Sequence, residues 1–446
     1  MSALPTRTLV AYAAPAIGFG FASMLVGSYL MKHATDVLAI PPATMGAILL
    51  ASRLWDAGAD PLAGFLSDRT RTRLGRRRPW MLAGAIPLAL AFVALWCPPL
   101  GLSPAALAAW VCGAALLLFT AQTAVRMPHE ALGAELSRDY HERTRIFGAR
   151  RAAFGVGALC VFAALMALGR ASDPRAATFA LVAPMSALGA LLVFASCAVL
   201  REPEAHAGRG AAHPFAALRD LLANPHARRL LSVTLLQQIA MGGITTAAAY
   251  HAEYVLGDPD AFPKLLGCFF SATLVSIPFW VRLGRRFEKK ALLIASMAGM
   301  ATSLGAMIAV GAGDFALFYS LAAIGGFAAG GLDVLLPSLQ ADVIDWDELR
   351  TGERKEGVYF AAWHLAEKLA LGIAAATTGI ALSASGFVPN QPQGESALLA
   401  MRLLLSLFPL ACYGSGVLIF LGFGLDRAAH ASVQRSLLER GLAVAR

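Results

Sequence analysis

The stretch Arg53-Leu-Trp-Asp56-Ala-Gly-Ala-Asp60-Pro61 places two carboxylates and one guanidinium inside an apolar run. If the run is helical, Arg53, Asp56 and Asp60 share one face, because side chains three or four residues apart lie above one another. Ionisable side chains within a membrane are costly, so they face the protein interior or a water-filled cavity and mark ion, proton or substrate sites. The stretch therefore predicts a membrane helix with a functional charged face.

An arginine-rich loop follows directly, with the sequence Ser67-Asp68-Arg69-Thr-Arg71-Thr-Arg73-Leu-Gly75-Arg76-Arg77-Arg78-Pro79-Trp80. Its core, Arg73-Leu-Gly-Arg-Arg77, returns in the second half of the chain as Arg282-Leu-Gly-Arg-Arg286. Arginine clusters beside membrane helices mark the cytoplasmic side. The recurrence indicates two homologous halves.

The composition is that of an integral membrane protein. Hydrophobic residues make up 57% of the chain and charged residues only 15%, against about 25% charged residues in soluble domains. The net charge of +9 is spread over short connections between apolar segments, where it orients the chain, so we expect no nucleic-acid partner. The six cysteines have no CxxC spacing, which predicts neither disulfides nor a metal site.

Apolar segments long enough to cross a bilayer recur along the whole chain. We predict spans at 8–32, 41–66, 80–98, 105–130, 151–170, 176–200, 229–252, 262–281, 290–311, 314–340, 358–385 and 397–424. The positive charge is concentrated in the loops after the even-numbered spans, which predicts a multi-pass protein of the cell (inner) membrane with both termini in the cytoplasm.

These spans predict an all-α membrane protein with the major facilitator architecture, twelve transmembrane helices in two six-helix bundles. The predicted domains are an N-terminal bundle at 1–200, a cytoplasmic connector at 201–228, a C-terminal bundle at 229–425 and a cytoplasmic tail at 426–446. The basic loops also suggest gating, and we predict that Asp68, Arg69 and Arg73 clamp the cytoplasmic ends of helices in the outward-facing state. We count Arg53 as a further gating residue.

The paired acids have two interpretations. Two carboxylates about one turn apart repel each other and burial disfavours both charges, so a bound monovalent cation, a proton or Arg53 must relieve the repulsion. One alternative is a packing salt bridge between Asp56 and Arg53. The other is a cation or proton site at Asp56 and Asp60, which we favour because packing alone needs only one acid.

Further polar residues fall in spans four, ten and eleven and are candidates to line a central cavity. In span four, Arg126 and Glu130 either neutralise each other as an i, i+4 pair or contact substrate. Asp333 lies in span ten. Lys368 lies in span eleven near His364 and needs a partner, which is Asp333, the Asp56/Asp60 pair or a packing neighbour.

The chain resembles the glycoside-pentoside-hexuronide:cation symporters, the melibiose permease group of the major facilitator superfamily. The resemblance runs nearly end to end through short motifs in order. Besides the acidic stretch and the arginine loop, these are Pro128-x-x-Ala131-Leu132, Glu135-Leu136, Asp139-Tyr-x-Glu142-Arg143-Thr-Arg145, Ala341-Asp342-Val-Ile-Asp345-Trp-Asp347-Glu348, Thr351-Gly-Glu353-Arg354, Glu356-Gly357, Lys368 and Gly386-Phe-x-Pro389-Asn390.

The resemblance implies coupled symport, with Asp56, Asp60 and Thr123 forming the cation site and with Arg151 and Lys368 at cavity positions tied to substrate or coupling. Ala59 stands where sodium-using melibiose permeases carry a side-chain amide, which favours H⁺ slightly over Na⁺. Gly20 and Arg126 stand where those permeases offer carboxylates to sugar hydroxyls. The loss of both acids favours an anionic or amphipathic substrate.

We therefore predict a secondary active transporter that couples H⁺ or Na⁺ to the uptake of a sugar, hexuronide or related small organic solute by alternating access. The predicted substrate-binding residues are Arg126, Glu130, Arg151, Asp333, His364 and Lys368. The alternatives are an uncoupled or exporting lipid or drug carrier of the same fold and a membrane sensor that transports nothing. We expect no catalytic site, because no nucleophile, phosphate loop or metal cluster is recognisable. We also expect no cofactor besides the coupling ion, and we expect a monomer in the lipid bilayer.

Overall fold

The computed structural model of the chain describes residues 4–136, 140–200, 202, 221–352 and 356–439. These residues are helical apart from short connections and one isolated bridge between Thr72 and Gly75. They group into two compact units, one from residues within 1–209 and 375–391 and one from residues within 210–374 and 392–446. The predicted all-α membrane fold is therefore confirmed.

Helices α1 to α7 belong to the first unit. They are α1 (Thr6–Ala13), α2 (Pro15–Asp36), α3 (Pro42–Arg69), α4 (Arg78–Trp96), α5 (Pro104–Glu135), α6 (Tyr140–Gly169) and α7 (Pro174–Val199). Proline occupies one of the first two helical positions in α2, α3, α4, α5 and α7. Proline suits this place because its missing N–H would have no partner in the first turn and its φ is already helical.

The second half of the chain forms α8 (Pro225–Tyr250), α9 (Ala261–Arg286), α10 (Lys289–Ala306), α11 (Phe315–Thr351), α12 (Glu356–Ala384), α13 (Glu395–Leu405), α14 (Leu407–Leu421) and α15 (Arg427–Glu439). A π-helical turn, His251–Val255, extends α8. The predicted span twelve corresponds to α13 and α14 together, which break at Ser406, where φ is −117° and ψ is −77°.

The first predicted span is also broken, between α1 and α2. Pro15 has no N–H to continue the ladder, and the Ile17 amide bonds the Ala14 carbonyl instead. A ring nitrogen of His129, Nε2, lies 2.8 Å from the Tyr12 carbonyl oxygen, and the two rings stack with centroids 4.6 Å apart. Because a carbonyl oxygen only accepts, Nε2 donates, and His129 ties the break in the first span to α5.

Eleven helices in the described part of the chain are long and apolar enough to cross a membrane. The helix α3 is not among them; it is 28 residues long and carries Arg53, Asp56 and Asp60. All twelve predicted spans nevertheless have a helical counterpart.

Several helices extend beyond the predicted spans. The connection between the predicted spans 314–340 and 358–385 is helical in its first part, because α11 continues to Thr351. The polar extension of α11 is held by side chains of its own unit. Lys289 Nζ bonds both oxygens of Asp342 at 2.6 and 2.9 Å, and His430 and Gln434 of α15 contact Asp345 at 3.2 and 2.6 Å. These partners stabilise the polar C-terminal extension of α11 beyond the predicted span.

Residues 375–391 cluster with the first unit, although the predicted domains place them in the C-terminal bundle. The Ser383 hydroxyl accepts a hydrogen bond from the Ala43 amide at 2.9 Å. A Cβ on Gly379 would lie 2.2 Å from the Pro42 carbonyl oxygen, so the glycine allows the end of α12 to approach the start of α3.

Glycines also bring α2 and α6 into backbone contact. A Cβ on Gly20 would lie 2.0 Å from the carbonyl oxygen of Phe154, and a Cβ on Gly157 would lie 1.9 Å from that of Ile17. Small residues are the usual means of close helix approach in membranes. The position where melibiose permeases carry a carboxylate is therefore filled by the backbone of α6.

We predict that Gly20→Ala destabilises the protein and that Gly27→Ala does not. The first substitution forces α2 away from α6, an overpacking that costs about 1–3 kcal/mol, whereas a Cβ on Gly27 of the same helix meets nothing within 4 Å. Thermal unfolding of the two variants in one detergent measures the difference. Equal unfolding temperatures for both variants would contradict this packing.

Candidate functional site

The predicted cation-site residues lie together, where α3 packs against α5. The hydroxyl oxygen Oγ1 of Thr123 is 3.0 Å from Oδ1 of Asp56 and 2.8 Å from Oδ1 of Asp60. Asp56 and Thr123 are buried, and Asp60 is half-buried. Two acids one turn apart on α3 thus converge on a single hydroxyl of α5.

The hydrogen count at this hydroxyl shapes the chemistry of the cluster. A threonine hydroxyl has one hydrogen to donate and two lone pairs that accept. Thr123 can therefore donate to only one of the two carboxylates at a time. The second contact becomes favourable when that carboxyl carries a proton and donates it to the hydroxyl, or when a cation lies among the oxygens. The geometry suits a small positive guest.

Arg53 lies beside this cluster and contacts it weakly. Its Nη1 is 3.9 Å from Oδ2 of Asp56, at the long limit of an ion pair, and its guanidinium lies 4.4 Å from the ring centroid of Phe119. The salt bridge that the sequence analysis weighed as an alternative is therefore present in a long form. It uses Oδ2 of Asp56, whereas Thr123 faces Oδ1.

A second polar cluster surrounds Glu130. Its Oε1 accepts hydrogen bonds from Arg126 Nε at 2.8 Å and from Arg150 Nη1 at 2.6 Å. The side chains of these three residues are 27–39% exposed, so the cluster is accessible. The predicted Arg126–Glu130 pair is present, and a second arginine leaves the cluster with one positive charge in excess.

Sequence reasoning selected Arg151 and missed Arg150. The Arg151 side chain is exposed and lies 5.5 Å from the ring centroid of Phe154. The two arginines are adjacent, and a single sequence does not define which of them points toward α5. The only signal in the sequence for a nearby arginine was Glu130 itself, and Arg126 alone already balances the charge of Glu130.

The remaining predicted substrate residues belong to the second unit. Asp333 is exposed on α11, and Lys368 is half-buried on α12. Nδ1 of His364 is 3.2 Å from Oε2 of Glu367, one turn away on the same helix. Whether these residues contact substrate stays a prediction.

The arginine loop is organised by a residue that the sequence analysis did not select. The backbone amides of Arg76, Arg77 and Arg78 each donate to the Glu202 carboxylate at 2.9 Å. This is the anion site of a helix N-terminus, here at the start of α4. Gly75 has φ +101°, and a Cβ there would lie 2.5 Å from the Glu202 carboxylate carbon.

The four predicted gating residues do not form one group. Arg53 lies in the middle of α3 beside Asp56, while Arg69 and Arg73 are exposed at the end of α3 and in the loop after it. The side chain of Asp68 lies outside the described residues. The gating role therefore stays a prediction for all four.

Comparison with known proteins adds the family. The model of the MFS/sugar transport protein family matches residues 11–427. An uncharacterized symporter of Synechocystis sp. is 27% identical over 530 aligned residues, which cover 97% of this chain and 96% of that protein. The glucuronide carrier protein homolog of Escherichia coli is 24% identical, over 91% of this chain and 90% of that protein.

Among solved structures, a D-xylose-proton symporter aligns with a TM-score of 0.67 at 16% identity, over 94% of this chain and 97% of that one. At this identity the likeness shows the major facilitator fold alone. Because the family model covers most of the chain, the protein is a multi-pass membrane transporter and not an enzyme, and it belongs to the MFS/sugar transport protein family.

Proposed function

We propose that the protein is a proton-coupled symporter that carries a small organic anion, such as a hexuronide, by alternating access. The observation that carries this proposal is the hydroxyl of Thr123 within hydrogen-bond distance of both Asp56 and Asp60. The names of its relatives, an uncharacterized symporter and a glucuronide carrier protein homolog, are consistent with the proposal. We place the transporter in the cytoplasmic membrane as a monomer, with both termini in the cytoplasm.

The coupling follows from the cost of charge in a low-dielectric setting. Without a guest, two carboxylates repel each other across one hydroxyl, and this repulsion grows when water leaves the site. Protonation of one carboxyl removes the repulsion and supplies the missing hydrogen. In an alternating-access carrier, transport of solute is coupled to transport of protons if the conformational change is fast only when both the proton site and the solute site are occupied.

A proton fits this site better than a metal ion. A cation needs several oxygen ligands, and Ala59, which stands where the sodium-using permeases that the chain resembles carry a side-chain amide, contributes no side-chain oxygen. A proton needs only one carboxylate oxygen and one acceptor, which Asp60 and Thr123 already supply at 2.8 Å.

The excess charge of the Glu130 cluster favours an anionic solute. Arg126 and Arg150 both bond one carboxylate oxygen, so their other N–H groups are available for a second anion. Guanidinium groups hold carboxylates and phosphates through charge-assisted hydrogen bonds. An amphipathic solute with an anionic headgroup meets the same requirement and is the second candidate.

We predict that Asp56→Asn and Asp60→Asn each abolish accumulation driven by an imposed proton gradient in proteoliposomes but preserve solute exchange across the membrane. An amide has no charge to neutralise, so it imitates the protonated state and removes the coupling. The control is Asp173→Asn at the start of α7, where asparagine caps the helix as aspartate does. Wild-type accumulation in the Asp56→Asn/Asp60→Asn double variant would refute the proposal.

We predict that a methyl glucuronide competes for transport at least about tenfold better than the matching methyl glucoside, because hydrogen bonds to charged groups contribute about 1.5–3 kcal/mol. Arg126→Gln removes this preference. The control is Arg151→Gln, whose guanidinium lies 5.5 Å from the ring centroid of Phe154, and we expect it to keep the preference because Arg126 and Arg150 are the arginines that bond Glu130. Equal competition by both sugars in the wild type would count against an anionic solute.

A further inference from the structure

Trp55 stands in the acidic stretch between Arg53 and Asp56, and its side chain is exposed although the neighbouring Asp56 is buried. Trp55 is 55% exposed in the middle of α3. Its indole N–H nevertheless has a specific acceptor, because Nε1 lies 2.8 Å from the hydroxyl oxygen of Thr120 on α5. The side chain is thus fixed at its polar end.

The hydroxyl of Thr120 is oriented by a second bond. It donates to the Leu116 carbonyl oxygen at 2.7 Å, so a lone pair is left to accept from Trp55. Two hydrogen bonds therefore follow in series: the indole N–H donates to the hydroxyl, and the hydroxyl donates to the carbonyl oxygen. An indole N–H without an acceptor is costly wherever water does not replace the lost partner.

This bond connects the same two helices that form the proposed proton site. Trp55 directly precedes Asp56, and Thr120 precedes Thr123 by about one helical turn. The bond therefore sets how far α5 is shifted along α3. The Thr123 contacts of 2.8 and 3.0 Å do not survive a shift of about 1 Å, since hydrogen bonds weaken beyond roughly 3.2 Å.

We propose that the Trp55–Thr120 hydrogen bond is a positioning device for the proton site, which holds α3 and α5 in the register that brings Thr123 to both carboxylates. The Trp55 indole bonds Thr120, and Thr120 bonds the Leu116 carbonyl, so we assign the pair an action through Asp56, Asp60 and Thr123. The proposal rests on the proposed function and deepens it, because it assigns part of the proton affinity to a bond outside the site.

Trp110 offers a matched control on α5, the helix that carries Thr120. Its indole N–H also donates to an acceptor on a neighbouring helix, the Ala94 carbonyl oxygen of α4, at 2.9 Å, and the residue is 41% exposed. Trp110→Phe therefore removes a comparable interhelical bond without touching the contact between α3 and α5. A general loss of stability affects both tryptophan variants, whereas a change in register affects only Trp55→Phe.

The test measures the proton concentration at half-maximal uptake in proteoliposomes for Trp55→Phe, Thr120→Val and Thr120→Ser. We expect Trp55→Phe and Thr120→Val each to raise that concentration roughly three- to tenfold, the effect of one net hydrogen bond. The double variant Trp55→Phe/Thr120→Val shifts no further than either single one, because both remove the same bond. Thr120→Ser keeps the hydroxyl and stays at the wild-type value.

An unshifted pH profile in both Trp55→Phe and Thr120→Val, or the same shift in Trp110→Phe, overturns the inference. If Trp55→Phe does not fold, Thr120→Val compared with Thr120→Ser decides the question by itself. Solute exchange at saturating proton concentration stays at the wild-type level in every variant. The outcome is separable from the proposed function, which fails only if the Asp56→Asn/Asp60→Asn double variant still accumulates solute.

Discussion

The structure depends on holding two carboxylates close together inside a membrane-spanning helix bundle. Asp56 and Asp60 repel each other, and the low dielectric of the surroundings strengthens the repulsion. The hydroxyl of Thr123, within 3.0 Å of both, provides a shared partner that has only one hydrogen. We propose that a positive guest stabilises this arrangement and that the energy of binding it drives the transport cycle.

Other acids of the protein are balanced in a different way. Glu130 accepts from two arginines, Glu202 from three backbone amides, and Asp342 from Lys289. These acids have permanent cationic or amide partners, which suits residues that organise a cluster, a loop or a helix extension. The pair on α3 differs in that both of its acids contact one neutral hydroxyl, that of Thr123.

The fold was largely predictable because apolar segments of bilayer length are a strong signal. Helix ends were less predictable, since hydropathy marks where a chain is apolar and does not mark where a helix stops, as the extension of α11 to Thr351 illustrates. In the site, the helical spacing of Asp56 and Asp60 predicted their shared face. The choice of Arg150 over Arg151 and the capture of the Arg76–Arg78 amides by Glu202 were not predictable, because both depend on how separate segments of the chain pack together.

The most direct test of the central claim is proton uptake by the purified protein in weakly buffered solution, followed with a pH-sensitive dye when the transported solute is added. If the acids of α3 bind the coupling proton, solute binding draws up to one proton per molecule from solution in the wild type and none in the Asp56→Asn/Asp60→Asn variant. A wild-type protein that binds solute without any proton uptake across the pH range of transport would contradict the account.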